Sequence, residues 1–121
     1  MAKTVLAIDD SLTIRELIFF VLSDAGYSVD LAEDGQDGLE QFRRKRPDVV
    51  IVDVNMPRMD GLKFLEMARA EKDSATVPML VLTTETDPAK KARAREAGAT
   101  GWITKPFNPT QLLDTVRRVV A

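Results

Sequence analysis

The chain contains no cysteine and no histidine. Disulfides, Cys/His zinc sites, cysteine nucleophiles and histidine general bases are therefore excluded, which removes much of the usual catalytic repertoire. Long apolar runs are also missing. None approaches the roughly 18 residues of a membrane-spanning helix, and MAKTVLAIDD passes straight into a strand pattern without a signal-peptide core or cleavage site. A cytoplasmic location is the expectation, with no membrane partner. Neither sign of charge dominates: a formal net charge of −2 gives no global attraction for nucleic acid, and no helix-turn-helix pattern is present. What is there, 121 residues with 30% charged and 45% hydrophobic side chains, suits one globular domain over residues 1–121 carrying a single site. A monomer is the default expectation.

The stretch that organises the chain is VVIVDVNMPRMDG, Val49 to Gly61. Its β-branched run, Val49 to Val52, predicts a buried parallel strand, and Asp53 falls in the loop mouth where that strand stops. Met56-Pro57 breaks the strand, and Asp60-Gly61 caps the next helix, which runs to about Glu71. Around this centre the chain alternates. Lys3 to Ile8 predicts a strand ending in Asp9-Asp10, and Ile14, Leu17, Ile18, Val21, Leu22 and Ala25 recur at helical spacing before Gly26. Tyr27 to Ala32 reads as a short edge strand and Gly35 to Arg46 as a helix closed by Pro47. Val77 to Leu82 predicts another apolar strand, followed by a helix starting at Asp87-Pro88 and stopping at Gly98. Trp102 to Thr104 is a short fifth strand, and Asn108-Pro109 opens a last helix with Leu112, Leu113, Val116, Val119 and Val120 inward. Five alternations with short connections predict an α/β fold, a doubly wound parallel sheet with five helices on its two faces.

In such a sheet the strand ends share one edge, the place where ligands bind. Asp9, Asp10, Asp53, Thr83-Thr84 and Lys105 would converge there. Three neighbouring carboxylates repel by about 4 kcal/mol per pair at roughly 4 Å and an effective dielectric of about 20. One lysine neutralises one charge, which leaves room for a divalent cation; oxygen ligands alone point to Mg²⁺, with Mn²⁺ as a second choice. Magnesium favours phosphate partners, so the site suits phosphoryl chemistry.

Taken singly, each residue has an ordinary reading. Asp9-Asp10 could cap a helix, Asp53 could be a turn acid, Thr83 could bond backbone, and Lys105 could be a solvated loop residue. Their combination, together with GATGW at Gly98 to Trp102 and KPF at Lys105 to Phe107, resembles the receiver domain of two-component response regulators, and within them the stand-alone chemotaxis type, CheY. The resemblance implies a flavodoxin-like sheet of order 2-1-3-4-5. It implies Asp53 as phosphoacceptor, with Asp10 and Asp53 ligating Mg²⁺, Asn55 offering its backbone carbonyl, and Asp9 acting through a bound water. Thr83 would hydrogen-bond a phosphoryl oxygen and Lys105 would pair with the carboxylate or the phosphoryl group. Asn55 and Glu85 stand where the family tunes hydrolysis. The donor would be a CheA-like histidine kinase; the output would pass through Thr83 and Trp102 to the face of the fourth helix, fifth strand and last helix, and on to a flagellar motor switch protein. Trp102 departs from the family's usual Tyr or Phe, so it is as readily a packing residue as a switch.

Other readings remain open. A single-domain phosphate sink or relay would share every site residue. A metal-dependent phosphatase with an aspartyl nucleophile would need a general acid two residues after it, where this chain has Asn55. A flavin carrier would need a Ser/Thr/Gly-rich cradle in place of Asp9-Asp10. The basic cluster Lys90, Lys91, Arg93 and Arg95 is a solvated face or a dock for an acidic partner segment.

Overall fold

The computed structural model describes residues 2–56, 58–84 and 88–120. Elements alternate strictly: β1 (Thr4–Ile8), α1 (Leu12–Asp24), β2 (Ser28–Ala32), α2 (Gly35–Arg44), β3 (Val49–Asp53), α3 (Gly61–Arg69), β4 (Met79–Thr83), α4 (Pro88–Ala97), β5 (Gly101–Thr104) and α5 (Pro109–Val119). All strand pairs are parallel and the sheet order is β2-β1-β3-β4-β5. The expected α/β architecture and strand order are therefore those of the chain. The order reverses at β1, which opens a crevice between the carboxyl ends of β1 and β3.

The period-2 alternation of each strand divides the core in two. Leu6, Ile8, Val50, Val52, Met79 and Val81 face α2 and α3, where Phe42 and Phe64 meet edge to face with ring centroids 6.1 Å apart. Val5, Ala7, Val49, Ile51, Leu80 and Leu82 face α1 and α5 through Ile18, Leu22, Leu112 and Val116. Coverage on both faces explains why β3 and β4 are continuous apolar runs with every residue buried. The edge strand β2 alternates exposed and half-buried positions, and it does sit at the edge.

Local chemistry sets the helix starts. Ser11, Asp34, Asp60 and Asn108 each accept a backbone N–H from the first turn of the helix that follows. Asn108 and Gln111 complete a reciprocal capping box ahead of α5. Asp87, expected to cap α4, lies outside the described residues.

Several strand ends shift by one residue, and four boundaries differ for reasons the structure shows. Helix α2 stops at Arg44, because Pro47 biases the preceding backbone and Lys45 is already extended at φ −148°; Arg46 instead lays its guanidinium over the Phe42 ring at 4.4 Å. Helix α3 stops at Arg69 rather than near Glu71, with Ala70 as its C-cap. Strand β4 starts at Met79, because Val77 donates its N–H to Ser74 in a turn. Asp53 is the closing residue of β3, in register with Leu82, and is not in the loop: Val54 N–H still donates to the Leu82 carbonyl at 3.2 Å, so the ladder outlasts the apolar run by one residue. Among the described residues no helix is long and apolar enough to cross a membrane.

Candidate functional site

Asp9 follows the last residue of β1, Asp53 ends β3, Thr83 ends β4 and Lys105 follows β5. The parallel sheet brings these to one edge. Carboxylate oxygens of Asp9, Asp10 and Asp53 lie within 4.8 Å of one another. The Lys105 ammonium bridges two of them, 3.3 Å from Asp9 Oδ2 and 3.2 Å from Asp53 Oδ1. Asp9 and Asp53 are buried, whereas Asp10 is exposed. The cluster thus has a closed floor and an open, exposed side.

Each group is held by the local fold. Asp9 Oδ1 accepts the N–H of Ser11 at 2.9 Å, and Arg15 donates to the Asp9 backbone carbonyl at 2.7 Å, which ties the β1 end to the first turns of α1. Lys105 is held by its own N–H, donated to the Thr83 carbonyl at 2.7 Å. Asp53 is fixed from behind by close approach of α3: a Cβ added at Gly61 would lie 2.2 Å from the Asp53 carbonyl oxygen. Only glycine lets that helix start so near the acid.

Electrostatics follow from this packing. Burial and then the neighbouring Asp9 charge push the Asp53 carboxyl above its ordinary value, against the opposing pull of Lys105 and of the Asn55 N–H. Three carboxylates set against one bridging ammonium leave two negative charges uncompensated within the group. An all-oxygen donor set that is short of two positive charges and open on its Asp10 side fits a hard divalent cation that keeps several waters.

The remaining expected residues fall around this centre. Asn55 is exposed in the arch after β3, and its backbone N–H opposes the upward shift of the Asp53 carboxyl. Thr83 is buried and lines a cavity of about 190 Å³ together with Val54, Leu62, Val81, Ala94 and Trp102, beneath Lys90, Lys91 and Arg93 of α4. Trp102 therefore shares a cavity with Thr83, not the acidic cluster itself. Its half-buried ring is covered by Lys91 Nζ at 4.9 Å and by the Arg95 guanidinium at 5.2 Å from the centroid. Glu85 lies outside the described residues.

Two groups near the site were not singled out in the sequence. Asp34, capping α2, is paired with Arg58 of the β3–α3 arch, and Arg58 also reaches Glu33 at 3.5 Å. The Asp34-Gly35 pair did carry a local capping signal. Arg58 carried none, since its partner is 24 residues away.

Comparison with known proteins agrees with this geometry. Residues 5–117 match the response regulator receiver domain model. Response regulator MprA of Mycobacterium leprae is 40% identical over 116 residues, 96% of this chain and 50% of that protein; the chain spans about half the length of the curated relatives it matches. Among solved structures, the Vibrio cholerae chemotaxis protein CheY4 superposes with a TM-score of 0.95 at 47% identity, covering 98% of this chain and 99% of that one. The receiver domain of sensor histidine kinase PA1611 from Pseudomonas aeruginosa PAO1, solved with a magnesium ion coordinated in its active site cleft, gives a TM-score of 0.91 at 25% identity, with 99% and 98% coverage. The chain belongs to the response regulator receiver domain family.

Proposed function

We propose that Asp53 accepts a phosphoryl group from the phosphohistidine of a sensor histidine kinase in a Mg²⁺-dependent reaction. The observation that carries this reading is the convergence of Asp9, Asp10 and Asp53 within 4.8 Å around a lysine that bridges two of them. An Asp53 oxygen attacks phosphorus in line; the O–P bond forms as the P–N bond breaks, and its electron pair returns to the imidazole, which takes up a proton. Little covalent chemistry is asked of the protein beyond positioning and charge stabilisation. Lys105 moves its ion pair toward the transferring oxygens, and Thr83 donates its hydroxyl to one of them. Asp9, Asp10, Asp53 and the Asn55 carbonyl would hold Mg²⁺, or Mn²⁺ in its place; the cation supplies charge neutralisation for the incoming phosphoryl group. The magnesium in the PA1611 receiver supports this assignment.

The phosphorylated state signals through Thr83 and Trp102; their shared cavity supports a path to α4 and β5, and the groove that Trp102 lines with Gln111 and Thr115 supports its continuation to α5. Asn55 and Glu85 set the lifetime of the acyl phosphate. The similarity to CheY4 supports a chemotaxis role, with a CheA-like kinase upstream and a flagellar motor switch protein downstream. A phosphate sink or relay would use the same site, as would the receiver of a different response regulator, in line with the similarity to MprA. In this reading residues 1–121 act as one receiver domain in the cytoplasm and as a monomer. The protein then assists its own phosphorylation and dephosphorylation and turns over no external substrate, which separates it from an aspartyl phosphatase.

The test is exposure to a small-molecule phosphodonor with and without Mg²⁺, read by intact mass. One phosphoryl adduct is expected, dependent on magnesium and absent in Asp53→Asn. An adduct that persists in Asp53→Asn moves the acceptor elsewhere, and turnover of an external phosphate ester would favour the phosphatase.

A further inference from the structure

The described residues of the connection between β3 and α3, 54–56 and 58–60, form an arch anchored at both ends. At its far end Gly61 N–H donates to the Val54 carbonyl at 2.9 Å, and the start of α3 abuts Asp53. At its shoulder, Arg58 adopts a left-handed φ of 65°, a conformation that a long side chain holds only when its surroundings fix it. What fixes it is the start of α2. Asp34 is almost wholly buried at 2% exposure, and its two oxygens have separate duties: Oδ1 accepts the Asp37 N–H at 2.8 Å as the helix cap, while Oδ2 takes the Arg58 guanidinium. The next residue, Gly35, lies so close to the arch that an added Cβ would sit 2.3 Å from the Met59 carbonyl oxygen. The arch is thus clasped to the α2 N-terminus by an ion pair on one residue and by backbone contact on the next.

We propose that the Asp34–Arg58 pair is a positioning device for the acidic site: by holding the arch against α2 it fixes Asn55, and so sets how tightly Asp9, Asp10 and Asp53 retain a divalent cation. This rests on the reading of the acidic cluster as a cation site. Neither Asp34 nor Arg58 belongs to that cluster. Both are positioning residues that act through Asn55, whose backbone N–H pulls the Asp53 carboxyl downward. Partners that hydrogen-bond a metal's ligands directly commonly change its affinity by about 10-fold or more when removed, and a clasp one step further out should act below that size.

Substitutions exist that break the clasp and leave folding intact. Asp34→Asn keeps an equally good helix cap and loses the charge. Arg58→Asn tolerates positive φ better than arginine does, so it removes the pair and relieves the turn. The double variant leaves no buried carboxylate without a partner. Mn²⁺ affinity of the full chain, measured by electron paramagnetic resonance alongside thermal unfolding in chelator, separates positioning from stability. Each single variant should weaken Mn²⁺ binding measurably and by less than about 10-fold, the double variant no further than the weaker single, and this loss should not follow the order of melting temperatures. Wild-type affinity in Arg58→Asn, or losses that add in the double variant, would overturn the clasp. Failure of the wild-type chain to bind Mn²⁺ at all would instead remove the cation-site reading, and the clasp's role with it.

Discussion

Two buried acids in this protein are shifted in opposite directions, and each shift has a consequence for stability. Asp53 is raised, first by burial and then by the Asp9 charge. A carboxyl raised in the folded state binds its proton more tightly there than in the unfolded chain, so its ionisation costs stability at every pH above the folded value. In metal-free protein near neutral pH, Asp53→Asn should therefore stabilise the fold by about 1 kcal/mol, a typical size for one substitution. Lys105 keeps Asp9 as its partner at 3.3 Å. Urea unfolding in chelator measures the gain, and the gain should shrink on acidification as the wild-type carboxyl takes up its proton; a destabilised Asp53→Asn would refute the electrostatic account. Asp34 is lowered. Burial alone would raise it, but the Asp37 N–H and then Arg58 together outweigh burial. Its stabilisation is present above the ordinary value of 3.8 and is lost as pH falls through the lower folded value. Wild type should accordingly be more stable than Asp34→Asn near pH 6, and the difference should close below about pH 3.8. Which of the adjacent acids Asp9 and Asp10 is buried cannot be read from residue type; the fold buries the first and exposes the second.

At the scale of elements, the start of α3 against the end of β3 is the contact on which the site depends most. Gly61→Ala would place a methyl group 2.2 Å from the Asp53 carbonyl oxygen and 2.9 Å from Val54 Cα, both backbone atoms that cannot turn aside. The helix must move off the strand, at a cost of about 1–3 kcal/mol in overpacking strain. Denaturant unfolding should show that loss, and phosphodonor labelling should be slower as well, because Asp53 and the arch move with the helix. An unfolding loss with unchanged labelling would mean that the acid is held by β3 alone. Much of this level was legible beforehand. The runs in β3 and β4 announce strands covered on both faces, and Asp60, Asn108 and Pro109 mark helix starts by chemistry that acts within one turn. Boundaries were less legible where a distant partner decides them: Asp53 joins β3 only because Leu82 lies opposite. The same reason hides the clasp, since Arg58 finds Asp34 across two loops, and it hides the environment of Trp102. Lys91 and Arg95 stand four apart on α4 and so share a face, but which ring they cover is a property of the folded sheet.

For the molecule as a whole, the acidic edge couples folding to divalent cation. Two core layers close over the sheet and bury Asp9 and Asp53 with them, so the unfolded chain has no site in which the three acids stand together. A ligand that binds only the folded state stabilises it by RT ln(1 + [L]/Kd), about 1.4 kcal/mol at a concentration tenfold above Kd. Adding MgCl₂ to metal-free protein should raise Tm by several degrees, progressively with concentration. Two controls distinguish binding from the screening of like charges. NaCl at matched ionic strength screens exposed charge without coordinating, and it should reproduce only a small part of the rise. Asp10→Asn removes a ligand from the exposed side of the cluster while leaving Asp9 on Ser11 and Lys105, and Lys105 on Asp53. Its metal-free stability should therefore stay close to that of the wild type or rise slightly as repulsion falls. Its response to MgCl₂ should drop toward that of NaCl. Equal stabilisation of wild type and Asp10→Asn by MgCl₂ would show that the cation acts on the surface at large and not at the cluster.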